Sequence, residues 1–417
     1  MIPTCDFKDF DVCIYIEYKK HRIVIKLRSA YEYLKIETSL SENKLIEYRN
    51  IFYDNLENFL NQILSTSKGF DLKFSDISKP LQDLHEIGRV KYDELFEYRR
   101  YDVDDFFKKV APNWNNSYKS DNFGYRPPLI RIKSELDYPL PWEFFPVFDT
   151  SEIYKMSDTK ELYSNASRFL GFSTIISRVF KNHPPVIYKI LDNCNNLGVR
   201  FFQNITLNCS REERDYFADK VWFDLRGVWP SSVLPKKRFI SELVTQLRKP
   251  LDQIHHFTCH CNTKKDSTED YVITLACKNK NWLGLTASKR EVNIRELRGE
   301  FSKLPRISNK VTPLVFLNAC GSSKITAEGV NSFPSFFIKR ARSRSVIGTE
   351  TPIPDKFAAE FSKHFYLKLI QGKSLGEALY GARWDLLIKR KNPLGILYTA
   401  YGDSGLHVRR PYPNAIL

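Results

Sequence analysis

The sequence predicts an α/β fold, a mainly parallel sheet with helices on both faces, and three observations carry that expectation. From residue 198 onward, short β-branched or aromatic runs alternate with stretches of helical spacing, the order expected of a sheet wrapped by helices. Leu314 to Ala319 is apolar at every position but Asn318, the pattern of a strand covered on both faces. The chain has 417 residues, 42% of them hydrophobic and 14% aromatic, which suffices for two or three domains with sizeable cores and argues against disorder.

Val12 to Glu17 and Arg22 to Leu27 are β-branched runs split by polar Lys19-Lys20-His21, which reads as a hairpin. Leu45, Tyr48, Phe52, Leu56, Phe59, Leu60 and Ile63 recur at three-and-four spacing and predict an amphipathic helix over 45–64. A second helix is expected over Leu81 to Phe96, and the polar stretch between Pro112 and Pro128 reads as a loop. In the second half, Val199 to Ile205 is a strand candidate, and Ser210 with Glu213 three residues on fits a capping box that starts a helix. Ser241 to Leu247 reads as helix, Ile254 to Cys259 and Tyr271 to Ala276 as strands. After Leu314 to Ala319 come a helix over Val330 to Arg340, a strand at Ser345 to Gly348 and a helix over Phe357 to Ile370. No internal repeat or low-complexity tract is visible.

The 64 Lys and Arg against 49 Asp and Glu give a formal charge of +15. That balance suits a nucleic acid, an acidic membrane surface or an acidic protein as partner, and speaks to association, not to fold. No stretch approaches the ~18 uninterrupted apolar residues of a membrane span, and the N-terminus lacks the basic and apolar regions of a secretory signal. A cytoplasmic protein without membrane insertion is expected. Its eight cysteines form no disulfide ladder, so reduced thiols are expected.

Two strand candidates end in residues with chemical potential. Ile254-His255-His256-Phe257-Thr258-Cys259 leads into His260, and Leu314-Val315-Phe316-Leu317-Asn318-Ala319 leads into Cys320 with Gly321-Ser322-Ser323 behind it. In parallel sheets the chemistry sits beyond the carboxyl ends of the strands, so two such ends bring an imidazole to a thiol. A histidine there takes the thiol proton or holds the thiolate, which makes the sulfur a strong nucleophile at neutral pH. The small residues after Cys320 keep its approach open, and the backbone N–H of Cys320 with one beside His260 suits an oxyanion.

Phe257-Thr258-Cys259-His260 and Phe316-Leu317-Asn318-Ala319-Cys320-Gly321-Ser322 resemble the histidine and cysteine strands of the CHAT family of caspase-like peptidases, related to caspases, separase and clostripain, and the histidine-first order agrees. Ser345 to Asp355, Gly372-Lys373-Ser374, Glu377-Ala378-Leu379, Asn392-Pro393 and Tyr401-Gly402-Asp403 continue the likeness. Leu136 to Glu143 and Arg168-Phe169-Leu170-Gly171 resemble the family's non-catalytic first half. The resemblance implies a duplicated caspase-like fold, with an inactive half over 1–190 and a catalytic half over 191–417. It also implies thiol-dependent peptide hydrolysis with no cofactor, His260 as general base and Cys320 as nucleophile. Cys261 stands where the family often has glycine, yet it still offers its N–H to the oxyanion hole beside that of Cys320. Bacterial members act in antiviral defence, for example by cutting gasdermin-like pore-forming proteins once a sensor is triggered; a protein substrate and a separate activating partner are implied here.

Asp355 lies in the loop that carries, in separase- and clostripain-like enzymes, the acid facing a basic residue before the cut. Its alternative role is to cap the helix beginning near Lys356. Cys259-His260-Cys261 invites a metal reading, but strand alternation turns His260 away from both cysteines, and no metal is expected. His255 and His256 are assigned to packing or surface, Cys209 and Cys277 are read as buried small hydrophobes, Trp142-Glu143 is assigned to packing between the halves, and Asp403 to a turn. The rival reading is a catalytically silent binding or scaffold module that uses the basic surface for nucleic acid or a protein partner.

Overall fold

The computed structural model describes residues 10–19, 22–66, 70–112, 126–135, 140, 142–148, 153, 156–180, 196–263, 271–281, 284–304, 312–319 and 332–408. The chain forms two compact units, Met1–Asn182 with Leu379–Leu397, and His183–Ala378 with Tyr398–Leu417.

The first unit opens with β1 (Val12–Lys19) and β2 (Arg22–Ser29), the expected hairpin, followed by β3 (Tyr33–Glu37) antiparallel to β2. Helix α1 (Glu42–Leu64) starts where the Ser41 side chain accepts from the Lys44 N–H, and its apolar stripe from Leu45 to Ile63 is buried. Helix α2 (Phe74–Phe96) begins about two turns before the expected Leu81, with Pro80 inside it. The reason lies upstream of the proline: Asp76 accepts from the Lys73 N–H and starts the helix there. Helix α3 (Arg100–Val110), β4 (Leu129–Ser134), α4 (Thr159–Ala166), α5 (Leu170–Ser173) and β5 (Ile175–Phe180) complete this stretch, with β1, β4 and β5 in parallel succession. Trp142 is buried within the unit against Phe96 and Phe145. Most of the expected loop between Pro112 and Pro128 lies outside the described residues. Cys13 is disulfide-bonded, whereas Cys209, Cys259, Cys261 and Cys277 are free thiols, so the expectation of reduced thiols fails at Cys13; spacing along the chain does not report which sulfurs the fold brings together.

The second unit holds β6 (Leu197–Gln203), α6 (Ser210–Asp219), β7 (Phe223–Trp229), α7 (Lys236–Leu247), β8 (Ile254–Thr263), β9 (Tyr271–Asn281), β10 (Gly284–Asn293), α8 (Ile294–Ser302), β11 (Leu314–Ala319), α9 (Phe333–Lys339), β12 (Ser345–Thr349) and α10 (Asp355–Ile370). Helix α11 (Leu375–Arg390) begins in this unit and ends in the first, and β13 (Tyr398–Gly402) returns to the second. Strands β7, β6, β8, β11 and β12 lie side by side and all parallel. Strand β13 closes on β12 antiparallel, and the β9–β10 hairpin pairs with the far end of β8. Strand alternation sorts the covering helices. His256 of β8 meets Phe217 of α6 and Tyr366 of α10 on one face, while Phe257 meets Phe337 of α9 on the other. The expected α/β architecture, a mostly parallel sheet with helices on both faces, is the one observed.

Candidate active site

Strand β8 delivers the histidine. Ile254, His256 and Thr258 share its face with His260, and the buried Cys259 and Cys261 share the other. His260 is half-buried and sits opposite Thr274 of β9, where β8 runs past the end of its parallel neighbours. Cys261 follows it opposite Ile273. Strand β11 ends at Ala319, and Cys320, the next residue in the chain, lies outside the described residues.

The pairing of the two strands has a fixed offset. Leu314 stands opposite Ile254 and each following pair keeps the same register up to Ala319 opposite Cys259, an offset of 60 positions (314 against 254, 319 against 259). His260 and Cys320 differ in sequence by the same 60, each following the last described pair of this register. The last described residues of β11 are held from the β12–β13 side: Thr349 Oγ1 of β12 donates to the Ala319 carbonyl at 2.8 Å, and Tyr398 Oη of β13 donates to Asn318 Oδ1 at 2.7 Å.

Beside these strand ends lies a pocket lined by Glu213 and Cys209 of the α6 start, Thr258 and Cys259 of β8, Asn318 of β11 and Asp355 of α10. Asp355 is the first residue of α10. The N-cap position belongs to Pro354 and no side-chain cap is formed, so the expected capping role is not observed. The helix begins one residue earlier than Lys356, and the Asp355 carboxylate instead accepts from the Asn208 N–H at 3.3 Å. Cys209 is half-buried on the pocket wall rather than in the core. Burial, then Glu212, Asp355 and Glu213, push its thiol up to about 11, so it stays protonated at neutral pH and is a poor nucleophile.

Sequence reasoning missed Glu213. Its expected part in a capping box does not form: α6 starts at Ser210 with Cys209 at the N-cap and no side-chain cap. Ser210, Glu213 and Phe217 are the buried residues of the helix, so the carboxylate faces the sheet. Glu213 Oε2 there accepts from His256 Nε2 at 2.7 Å, Asn318 Nδ2 at 2.8 Å and Ser362 Oγ at 3.3 Å. The signal was present in the spacing, since Glu213 and Phe217 are four apart and therefore on one side of the helix. His256 is fully buried, with its other ring nitrogen 3.0 Å from the Tyr366 hydroxyl. His255 is buried on the opposite face, 3.8 Å from Asp252. Asp403 accepts from the Gly405 N–H at 2.9 Å, as a turn carboxylate does. Among the described residues no group of three or more His, Cys, Asp or Glu side chains is placed to hold a metal ion, and no helix is long and apolar enough to cross a membrane.

Residues 219–410 match the CHAT domain family. A probable protease of Vitiosangium sp. (strain GDMCC 1.1324) is 35% identical over 97 residues, which cover 23% of this chain and 13% of that protein. The crystal structure of the Saccharomyces cerevisiae separase–securin complex at 3.0 Å resolution aligns with 95% of this chain and 30% of its own at 10% identity, with a TM-score of 0.46. The same complex at 2.6 Å resolution aligns with 94% and 30% at 9% identity, with a TM-score of 0.42. The chain thus spans under a third of the length of each of these proteins.

Proposed function

We propose that the chain is a cysteine endopeptidase that cuts a protein substrate after a basic residue. The observation that carries the reading is the shared offset: His260 and Cys320 are 60 positions apart in the sequence, the same offset that relates β8 to β11 up to Cys259 and Ala319. In this mechanism His260 takes the Cys320 thiol proton, and the thiolate attacks the peptide carbonyl, pushing its electrons onto oxygen. Backbone N–H groups of Cys320 and Cys261 stabilise that oxyanion. Collapse of the intermediate breaks the C–N bond as His260 returns the proton to the leaving amine. Water, deprotonated by His260, then hydrolyses the thioester and restores the thiol.

The basic preference rests on the pocket, where Asp355 and Glu213 present carboxylates and no lysine or arginine is among the described lining residues. A guanidinium or ammonium pairs with them, and a substrate carboxylate meets like charge. A gasdermin-like, pore-forming protein, cut once a separate sensor or regulatory protein activates the protease, is the substrate type the family resemblance suggests.

The test is cleavage of a peptide library randomised before the cut, by the wild type and by Cys320→Ala, His260→Ala and Asp355→Asn. Cleavage after Arg or Lys that is lost in the first two variants, and loses its basic preference in the third, is the expected outcome. Cleavage that survives Cys320→Ala overturns the mechanism, and a preference indifferent to Asp355→Asn overturns the pocket assignment.

A further inference from the structure

Glu213 is 2% exposed, and one of its oxygens is bound by three donors from three different elements. His256 is on β8, four residues before His260 and on the same face. Asn318 is on β11, two residues before Cys320, and stands opposite Thr258, midway between His256 and His260. Ser362 is on α10, the helix that begins with Asp355.

We propose that Glu213 is a positioning residue for the catalytic pair: its Oε2 is the point from which the ends of β8 and β11 are set relative to each other and to the pocket helix. The inference rests on the protease reading above and concerns how that site is held. The donors are themselves fixed from behind, His256 by the Tyr366 hydroxyl at 3.0 Å and Asn318 by the Tyr398 hydroxyl at 2.7 Å. The His256 ring also lies stacked between Phe201 of β6 and Phe316 of β11, with centroids 5.2 and 5.3 Å away. Rings alone allow sliding, because dispersion has little directional preference. Hydrogen bonds to a carboxylate have narrow distances and angles, so they define the displacement of one strand end against the other. A buried carboxylate is an expensive way to fill a core, and an apolar side chain would pack the same space without the charge. The cost is intelligible where geometry governs rate, since a misplacement of about 1 Å between reacting groups can lower it roughly 10²-fold. The residue comes from α6, ahead of the span that matches the CHAT family, so the region 219–410 depends on the preceding segment for its geometry.

The test measures Cys320 alkylation by iodoacetamide against pH, read by mass spectrometry of the Cys320 peptide, alongside kcat and KM for a cleaved peptide. In the wild type a thiolate held by His260 alkylates well below the free-cysteine midpoint of about 8.5. Glu213→Gln keeps the volume, and the proposal expects the midpoint to rise toward that value and kcat to fall roughly 10²-fold with KM little changed. Tyr366→Phe, which removes only the hydroxyl behind His256, is expected to shift both in the same direction by less. A purely structural role would lower the thermal midpoint while leaving the alkylation profile of the folded protein unchanged. A wild-type profile and kcat in Glu213→Gln overturn the positioning role alone; should that variant not fold, the same result in Tyr366→Phe and Ser362→Ala overturns it. A wild-type Cys320 that alkylates as an ordinary thiol removes the protease reading, and this inference with it.

Discussion

Each of the two units buries a carboxylate next to its sheet, and the two are paired in opposite ways. In the first unit Glu143, 1% exposed, accepts from the Arg178 guanidinium, with the buried Arg383 close enough to feel its charge. Burial, partly opposed by Glu143 and reinforced by Arg178, pushes the Arg383 group down to about 10. In the second unit Glu213 is held by an imidazole, a carboxamide and a hydroxyl, and lines a pocket. Arginine pairing neutralises a carboxylate inside the fold, and that pair serves packing. Glu213 makes its bonds to side chains of two strands and a helix, and ties those elements together at the pocket wall.

The largest effect that would break this contrast is at Glu143. Glu143→Ala removes a carboxylate partner of the buried Arg178 guanidinium, and is expected to cost about 3–5 kcal/mol, read from urea unfolding. A loss below about 1 kcal/mol would mean that Arg178 is satisfied without it, and the proposed difference between the two carboxylates would disappear.

A smaller effect sharpens the contrast through pH. Burial, which outweighs the bonding and charge of Asp252, holds His255 below its ordinary 6.5, with Arg200 acting in the same direction as burial. Below about pH 6.5 the unfolded chain therefore binds a proton that the folded unit does not, so stability falls as the pH drops, by at most about 1.4 kcal/mol per pH unit. Asp252 acts lower. Burial raises its carboxyl, but the bonds from His255 and Arg200 outweigh that and hold it below 3.8, so its contribution is lost only in acid. Urea midpoints at pH 7.5 and 5.5, with His255→Phe alongside, check the assignment: the variant should flatten the dependence, and an unchanged slope would place the titrating group elsewhere.

The smallest expected effect is at Thr349. Thr349→Val keeps the branched shape and removes the hydrogen bond to the Ala319 carbonyl, which should cost about 0.5–1.5 kcal/mol. A measured loss near zero would show that the end of β11 is held by its other contacts, the Glu213 and Tyr398 bonds to Asn318 among them.

The sequence by itself determined the elements whose signal is local. The apolar stripe of α1 and the runs of β6, β8, β11 and β12 demand burial through their own spacing, and each formed where expected or within a few residues. The offset between His260 and Cys320 was also in the sequence, although its meaning was not, because equal spacing has a consequence only once two strands are known to be neighbours in register. Tertiary structure alone decided the rest. The polar, charged run of β10 becomes a strand because β9 supplies a partner for its backbone, and no periodicity announces that. Asp355 and Glu213 both carried plausible helix-capping signals, and both side chains turned elsewhere. Asp355 found the N–H of Asn208, and Glu213 found three donors from two strands and a helix far away in sequence. A cap is a contest between local and distant donors, and only the folded chain brings the distant ones into reach.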